Sequence, residues 1–305
     1  MTTAPTLRMR PVRASVIDIG SNTIRLLVAK NGRRGLDPIL SRRAYVGLAT
    51  DIERDGWISD EKLAQVQELA ARYTVLARDS GADRLEVLVT SPGRQSGNAP
   101  QLHAALAMAT GGRVRQLSAE EEGRLAYAGA VGACRSVPES IAVIDLGGGS
   151  TQVMVGTREA PAWLRSLDLG SLRLTERFVH SNPPMPNVLD AVACLVEKEF
   201  ESLTPPLPIS ALATGGTARA LRRMVGRRLG EKNLNAVLAL LTAKTAQEVA
   251  ADYDVPVERA RVLPAGTIVL REAHRRLGVK LEVARGGVRE GALRGVLGEL
   301  AVAAA

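Results

Sequence analysis

Ile141-Ala-Val-Ile-Asp145-Leu-Gly147-Gly148-Gly149-Ser150-Thr151-Gln152-Val-Met-Val-Gly156 is the stretch that decides how this chain folds. Its left half is a short apolar, β-branched run ending on a carboxylate, and its right half resumes as Val153-Met154-Val155. Three glycines and two hydroxyl residues lie between, which reads as a buried strand, a tight turn and a second strand. Glycine lets a backbone approach an anion closely and turn its N–H groups inward, so such a turn is a ready phosphate cradle. Asp145, just before it, could hold a divalent metal at the same phosphates. The same composition also serves an ordinary hairpin.

A second copy separates the two readings. Val16-Ile17-Asp18-Ile19-Gly20-Ser21-Asn22-Thr23 follows the same plan and runs into another apolar stretch, Ile24 to Ala29. The aspartates at 18 and 145 are 127 positions apart, too long for a solenoid repeat and about one domain long. The chain therefore reads as a duplicated domain with one phosphate turn per half. We expect a leader over 1–13 that is disordered, one domain over 14–126 and a second over 127–305. Two turns facing a shared cleft point to a phosphate-binding enzyme or sensor.

Length and composition agree with this and exclude several classes. A chain of 305 residues with 46% hydrophobic content can bury two cores. No apolar run approaches the roughly 20 residues that span a bilayer, so no membrane association is expected. Met1 to Val12 lacks the apolar core of a signal peptide. Cys134 and Cys194 have no metal-ligand spacing and read as buried free thiols of a cytoplasmic protein. The net charge of +8 favours anionic partners, but only 3% of residues are aromatic, which argues against stacking on nucleic acid, and no specific nucleic-acid partner is expected.

The first half reads β-β-β-α-β-α-β-α. Its helices begin after Ser59, near Ala99 and at Ser118, and Thr90-Ser91-Pro92-Gly93-Arg94 reads as a polar loop. The second half has strands over 141–146, 151–156 and about 162–168, then helices, a strand over 209–214 and a polar helical stretch over 230–262. A helix over 264–277, a strand over 279–284 and a helix over 288–300 close it. Alternating strands and helices give an α/β architecture.

Three further places carry candidate chemistry. Ser118 and Glu121 have capping-box spacing, which commits Glu121 to the backbone and leaves Glu122 free to act. Arg94 follows a strand end, where an anion-binding arginine fits. Gly215-Gly216-Thr217 is a strand-to-helix turn whose N–H groups could contact a further phosphate. His103, His180 and His274 have no partner at ligand spacing; structural roles are expected for His103 and His274.

The motifs together resemble the Ppx/GppA family of exopolyphosphatases and guanosine pentaphosphate phosphohydrolases, part of the sugar kinase/heat-shock protein/actin superfamily. The resemblance runs from Ala14 to about Leu297. Asp18 to Thr23 is similar to the family's first phosphate motif and Asp145 to Thr151 to its second. Thr90-Ser91-Pro-Gly-Arg94 with Asn98, Ser118 to Leu125, Thr214 to Thr217 and Arg289-Glu290-Gly291 fit the others. The resemblance implies duplicated ribonuclease H-like domains around a cleft, with Glu122 as catalytic base. It also implies a homodimer of the short, two-domain type, for which shorter polyphosphate chains are plausible substrates. Two positions depart from the family pattern: Gln152 stands for a glutamate and Arg261 for the aspartate of an R-A-D motif.

The expected mechanism follows. The N–H groups of Gly20, Ser21, Asn22, Gly147, Gly148, Gly149 and Ser150, with Thr23, Thr151, Gly215 and Gly216 nearby, hold phosphate. Mg²⁺ or Mn²⁺ sits on Asp145 and Asp18, with Gln152 a weak ligand because a neutral amide replaces a charged one. Glu122 activates water, and Arg94 stabilises charge on the transferred group. The substrate is inorganic polyphosphate. The alternatives are guanosine pentaphosphate (pppGpp), cut at its 5′ end, and a catalytically weak sensor of polyphosphate or (p)ppGpp.

Overall fold

Apolar residues come in near-continuous runs through 14–29 and 141–156, broken at the turns, and both stretches form antiparallel strand pairs that are buried on both faces. A computed structural model describes residues 11–33 and 35–303. Most of the expected leader, residues 1–10, lies outside the described residues, and strand β1 (Arg13–Ile19) takes up its last residue. Next come β2 (Thr23–Gly32), β3 (Gly35–Tyr45), α1 (Leu48–Asp55), α2 (Asp60–Asp79), β4 (Arg84–Val89), α3 (Ser91–Gln95), α4 (Ala99–Thr110) and β5 (Val114–Gln116). Helix α5 (Ala119–Val131) leads to β6 (Ile141–Leu146), β7 (Thr151–Gly156), β8 (Pro161–Leu167), α6 (Ser171–Phe178), α7 (Pro186–Glu201) and β9 (Ser210–Gly215). The chain continues through α8 (Gly216–Val225), β10 (Arg228–Leu229), α9 (Glu231–Ala243), α10 (Ala246–Tyr253), α11 (Val257–Arg261) and α12 (Leu263–Leu277). It closes with β11 (Leu281–Val283) and α13 (Val288–Ala303).

The two sheets share one plan. The first runs β3-β2-β1-β4-β5 and the second β10-β11-β9-β6-β7-β8. In each, an antiparallel three-strand meander (β1-β2-β3, β6-β7-β8) is extended by two parallel strands on the far side of its first strand, and in the second sheet the short β10 adds an antiparallel edge. The duplicated ribonuclease H-like architecture is therefore present, down to the equivalence of Asp18 and Asp145 at the ends of β1 and β6.

Each sheet is covered on both faces. Ile17, Ile19, Leu26 and Val28 pack under α2 and α4, while Val16, Leu27 and Leu88 on the opposite face meet Leu293, Val296 and Leu297 of α13. In the second sheet Val143 and Met154 meet Ala126, Tyr127 and Ala130 of α5, and the other face carries the large core under α7, α8 and α12. The last helix of the chain thus returns to the first sheet. It crosses α5 at glycines, where a Cβ on Gly291 would lie 1.9 Å from the Leu125 carbonyl oxygen and one on Gly129 2.0 Å from that of Gly287. Only hydrogen fits there.

Several local expectations change. Thr90 to Arg94 is mostly helix, because Pro92 sits in the first turn of α3, where its missing N–H costs nothing. Helix α1 is an addition. It starts from Gly47 in the left-handed region, φ 65°, with no side-chain cap to announce it. The 230–262 stretch resolves into α9, α10 and α11, and Thr245 and Glu248 form the capping box that opens α10. Cys194 is exposed and Cys134 half-buried, so the expectation of two buried thiols is corrected. His103 bonds Gln116 (3.0 Å) and His274 bonds the Val279 carbonyl (2.8 Å), both within the scaffold. Among the described residues, no helix is long and apolar enough to cross a membrane.

Candidate active site

The turn after β1 and the turn after β6 close identically, with Gly20 N–H donating to Thr23 O (3.1 Å) and Gly147 N–H to Ser150 O (2.9 Å). Their carbonyls are tied outward to the helix that follows. Ser21 O accepts from Ala49 at the start of α1, and Gly147 O and Gly148 O accept from Ser171, Leu172 and Arg173 at the start of α6. With the carbonyls engaged, the N–H groups of Ser21, Asn22 and Gly148, which line the cleft, have no protein acceptor among the described residues. Donors without acceptors on both walls of one cleft are what an anion needs.

The glycines are also demanded by how closely the walls approach. A Cβ on Gly148 would fall 3.0 Å from Asn22 N, and one on Gly149 2.4 Å from Ser21 Oγ. On Gly170 it would fall 2.1 Å from Gly148 O. The two turns touch, which excludes the plain hairpin reading of either. Ser21 Oγ and Ser91 Oγ, 2.6 Å apart, join the first turn to α3.

Glu122 stands over this cleft in the first turn of α5, 5% exposed. The capping box forms as its spacing predicts: Ser118 Oγ accepts from Glu121 N–H (3.1 Å) and Glu121 Oε2 accepts from Ser118 N–H (2.8 Å). Glu121 is thereby spent on the helix end. Arg94 Nη2 lies 2.8 Å from Glu122 Oε2, and its Nη1 donates to Leu117 O (3.0 Å). Arg94 thus touches the carboxylate from behind and does not line the cleft.

Burial pushes the Glu122 carboxyl up to about 7; Arg94 opposes this, and Asp145 and Asp18 add to it. Burial likewise raises Asp145 to about 6, and raises Asp18, in both cases against Arg25. For Glu122 the folded value lies above the ordinary one, so the folded state binds the extra proton between pH 4.5 and 7. Folding stability falls as pH rises through that window, by about 3 kcal/mol in all at roughly 1.4 kcal/mol per unit. Glu122→Gln is accordingly expected to stabilise the fold by ~1–3 kcal/mol at pH 8, the lower figure allowing for Arg94 losing its partner. The gain should shrink toward pH 4.5 in urea melts; a destabilised variant at pH 8 would contradict it.

Asp18 and Asp145 line the cleft, and among the described residues their carboxylates accept no side-chain hydrogen bond. Two buried, hard oxygen donors made costly to ionise by desolvation fit a divalent cation such as Mg²⁺. Gln152 does not line the cleft. It pairs in register with Asp145 and is fully buried, its Nε2 donating to Ser150 Oγ (3.0 Å) and Ser166 Oγ (3.1 Å). Its Oε1 has no partner among the described residues. Thr151 donates to Leu169 O and, like Ser150 and Gly149, belongs to the wall behind the lining. Gly20 to Thr23, Gly147, Gly148, Gly215 and Gly216 all line it. The other departure, Arg261, is half exposed and pairs with Glu176 (3.0 Å), away from the cleft.

Four lining arginines were absent from the expected site: Arg25, Arg219, Arg259 and Arg289. Arg25 lies directly across from Asp18. Arg259 is 4% exposed, and its Nε is buried without a hydrogen-bond partner among the described residues. Burial, with Arg25 and Arg289 nearby, lowers Arg219 to about 9, so it stays cationic at neutral pH. Arg219 carries a signal that was legible. A cation near the N-terminus of α8 opposes the helix dipole, a placement that needs an anion to explain it.

The sequence matches the model of the Ppx/GppA phosphatase family over residues 27–300. Exopolyphosphatase 2 of Mycobacterium tuberculosis is 30% identical over 294 residues, spanning 88% of this chain and 92% of that protein. Guanosine-5'-triphosphate,3'-diphosphate pyrophosphatase of Pseudoalteromonas translucida is 27% identical over 94% of this chain and 59% of that protein. The crystal structure of the Aquifex aeolicus Ppx/GppA family member superposes with a TM-score of 0.80 at 25% identity, covering 95% of this chain and 99% of that one.

Proposed function

The chain belongs to the Ppx/GppA phosphatase family, and on that premise we propose that it is an exopolyphosphatase, a phosphate-anhydride hydrolase that releases orthophosphate from the end of inorganic polyphosphate. One observation carries the reading: a buried carboxylate at about 7 stands over a cleft whose two turns present unbonded N–H groups. The N–H groups of Ser21, Asn22 and Gly148 hold the non-bridging oxygens of the terminal phosphate. Glu122, ionised above neutral pH, takes a proton from water as the water attacks phosphorus in line. Arg94 acts through Glu122, orienting its carboxylate and keeping it from rising further. The four lining arginines offset charge on the leaving phosphate. Mg²⁺ or Mn²⁺ would be held by Asp145 and Asp18 and would supply charge neutralisation at the phosphates. A homodimer in the cytoplasm completes the proposal.

The pyrophosphatase relative keeps pppGpp as a second reading, since its 5′ end presents the same anhydride. The sensor reading has less support, because Arg261 lies away from the cleft and Gln152 behind its lining. Incubating the protein with tripolyphosphate, long-chain polyphosphate or pppGpp, each with Mg²⁺ or Mn²⁺, and assaying orthophosphate separates the three. Release from polyphosphate supports the proposal. Release from pppGpp alone, or binding of polyphosphate with no release, overturns it.

A further inference from the structure

Gln116, the last residue of β5, does not line the cleft, yet its side chain reaches the roots of both helices whose side chains meet over it. Its Nε2 lies 3.2 Å from Val89 O at the end of β4, 3.1 Å from Thr90 O at the N-cap of α3 and 3.1 Å from Leu117 O just before α5. An amide carries its donors on nitrogen alone, so three surrounding carbonyls fix which way it points. Its Oε1 therefore faces His103, and His103 Nε2, 3.0 Å away, is the donor. Gly93 of α3 closes over the amide: a Cβ there would lie 1.7 Å from Gln116 Oε1 and 2.8 Å from Val89 Cγ1.

Satisfying loose carbonyls does not account for this arrangement. Val89 O already accepts from Leu117 N–H (2.9 Å), Thr90 O from Gly93 N–H (3.2 Å) and Leu117 O from Arg94 Nη1 (3.0 Å). What the amide adds is a cross-brace. One helix needs it more than the other. Helix α5 is anchored by its capping box, whereas α3 is five residues long and has no side-chain cap, because the Thr90 hydroxyl donates to Ile19 O (3.1 Å). Arg94 rides on α3, and its Nη2 lies 2.8 Å from Glu122 Oε2 on α5. The Leu117 carbonyl is held by Gln116 and Arg94 together, which links the amide to the pair through one shared atom.

Resting on the reading of the cleft as a phosphate-anhydride hydrolase, we propose that Gln116 is a positioning residue: it braces the root of α3 against that of α5 and so holds the Arg94 guanidinium on Glu122 in the pose that water activation needs. His103 in turn fixes the amide. Neither side chain touches substrate.

The test begins with Gln116→Met, which keeps the length of the side chain and removes its donors. We expect kcat on polyphosphate to fall about tenfold with KM within about twofold, since ~1 Å of misplacement at a reacting group costs on the order of 10²-fold and the brace governs part of such a shift. In an Arg94→Ala background the same substitution should change kcat by less than about twofold, because the group it positions is gone. Losses that multiply in the double variant would make Gln116 plain scaffold and overturn the proposal. Gly93→Ala pushes the amide aside from α3 and should reproduce the kcat loss, which supplies a second probe where Gln116→Met folds poorly; wild-type kcat in both variants would also overturn it. A readout without turnover keeps this apart from the proposed reaction. Urea melts of Arg94→Ala, Glu122→Gln and their double variant give the coupling between the pair, which should fall to about half or less when Gln116 is replaced by Met. Undiminished coupling overturns the positioning role even in a protein that releases phosphate. Halved coupling in a protein that releases none sinks the hydrolase and keeps the brace.

Discussion

Glu122→Gln is expected to lower turnover of polyphosphate by about 10²–10⁴-fold while leaving substrate binding nearly unchanged. The amide keeps the shape of the side chain but cannot accept a proton from water. The N–H groups of Ser21, Asn22 and Gly148 and the four lining arginines do not depend on it. Loss should therefore fall on kcat and not on KM, the pattern of an interaction made only in the transition state. Because the same substitution should raise stability at pH 8, a fall in activity cannot be ascribed to unfolding. A group held ionised at a cost of about 3 kcal/mol is a stability–activity trade, and removing it should show both sides. Full activity in Glu122→Gln would remove the carboxylate from the mechanism.

Gly291→Ala is the second large effect. The new Cβ would meet the Leu125 carbonyl oxygen at 1.9 Å, and backbone cannot swing aside as a side-chain tip can. Helices α5 and α13 must separate, and each is bound to a different sheet. Overpacking of this kind costs about 1–3 kcal/mol, and more when backbone is displaced. Glu122 rides on α5, so a shift of about 1 Å at the crossing also costs on the order of 10²-fold in rate. Gly295→Ala and Gly298→Ala on the same helix are the controls. Nothing lies within 4 Å of their Cβ positions, so they should gain about 1 kcal/mol of helix propensity. Urea-melt midpoints and kcat for the three variants decide it. If Gly291→Ala matched its controls, the crossing would not hold the domains in register.

What the chain disclosed in advance follows from the range of the interactions involved. The two turns, the capping box at Ser118 and Glu121 and the one at Thr245 and Glu248 are written in neighbouring residues, and the structure has them as expected. Helix α1 carries no such signal, since Gly47 enters it through its backbone alone. The return of α13 to the first sheet depends on contacts between residues far apart in sequence, such as Leu88 with Leu297, which no local pattern encodes. The arginine wall was missed for the same reason. Arg25, Arg219, Arg259 and Arg289 are scattered along the chain; Arg289 stood out only as part of the Arg289-Glu290-Gly291 motif, and no local pattern brings the four together. Gln152 looked like a weakness in a ligand set, but its amide is engaged by Ser150 and Ser166 behind the lining.

The most direct measurement is kcat/KM on polyphosphate against pH, for the wild type and Glu122→Gln side by side. This quantity reports groups in the free enzyme. With Glu122 at about 7, wild-type kcat/KM should rise from pH 5 to a plateau above 8, with the midpoint at or below 7 because a cation on Asp145 and Asp18 favours the ionised carboxylate. The limb near 7 should be absent from Glu122→Gln, whose residual rate lies far below at every pH. A wild-type profile flat between pH 5 and 8, or the same limb in both proteins, would contradict the assignment of Glu122 as the base.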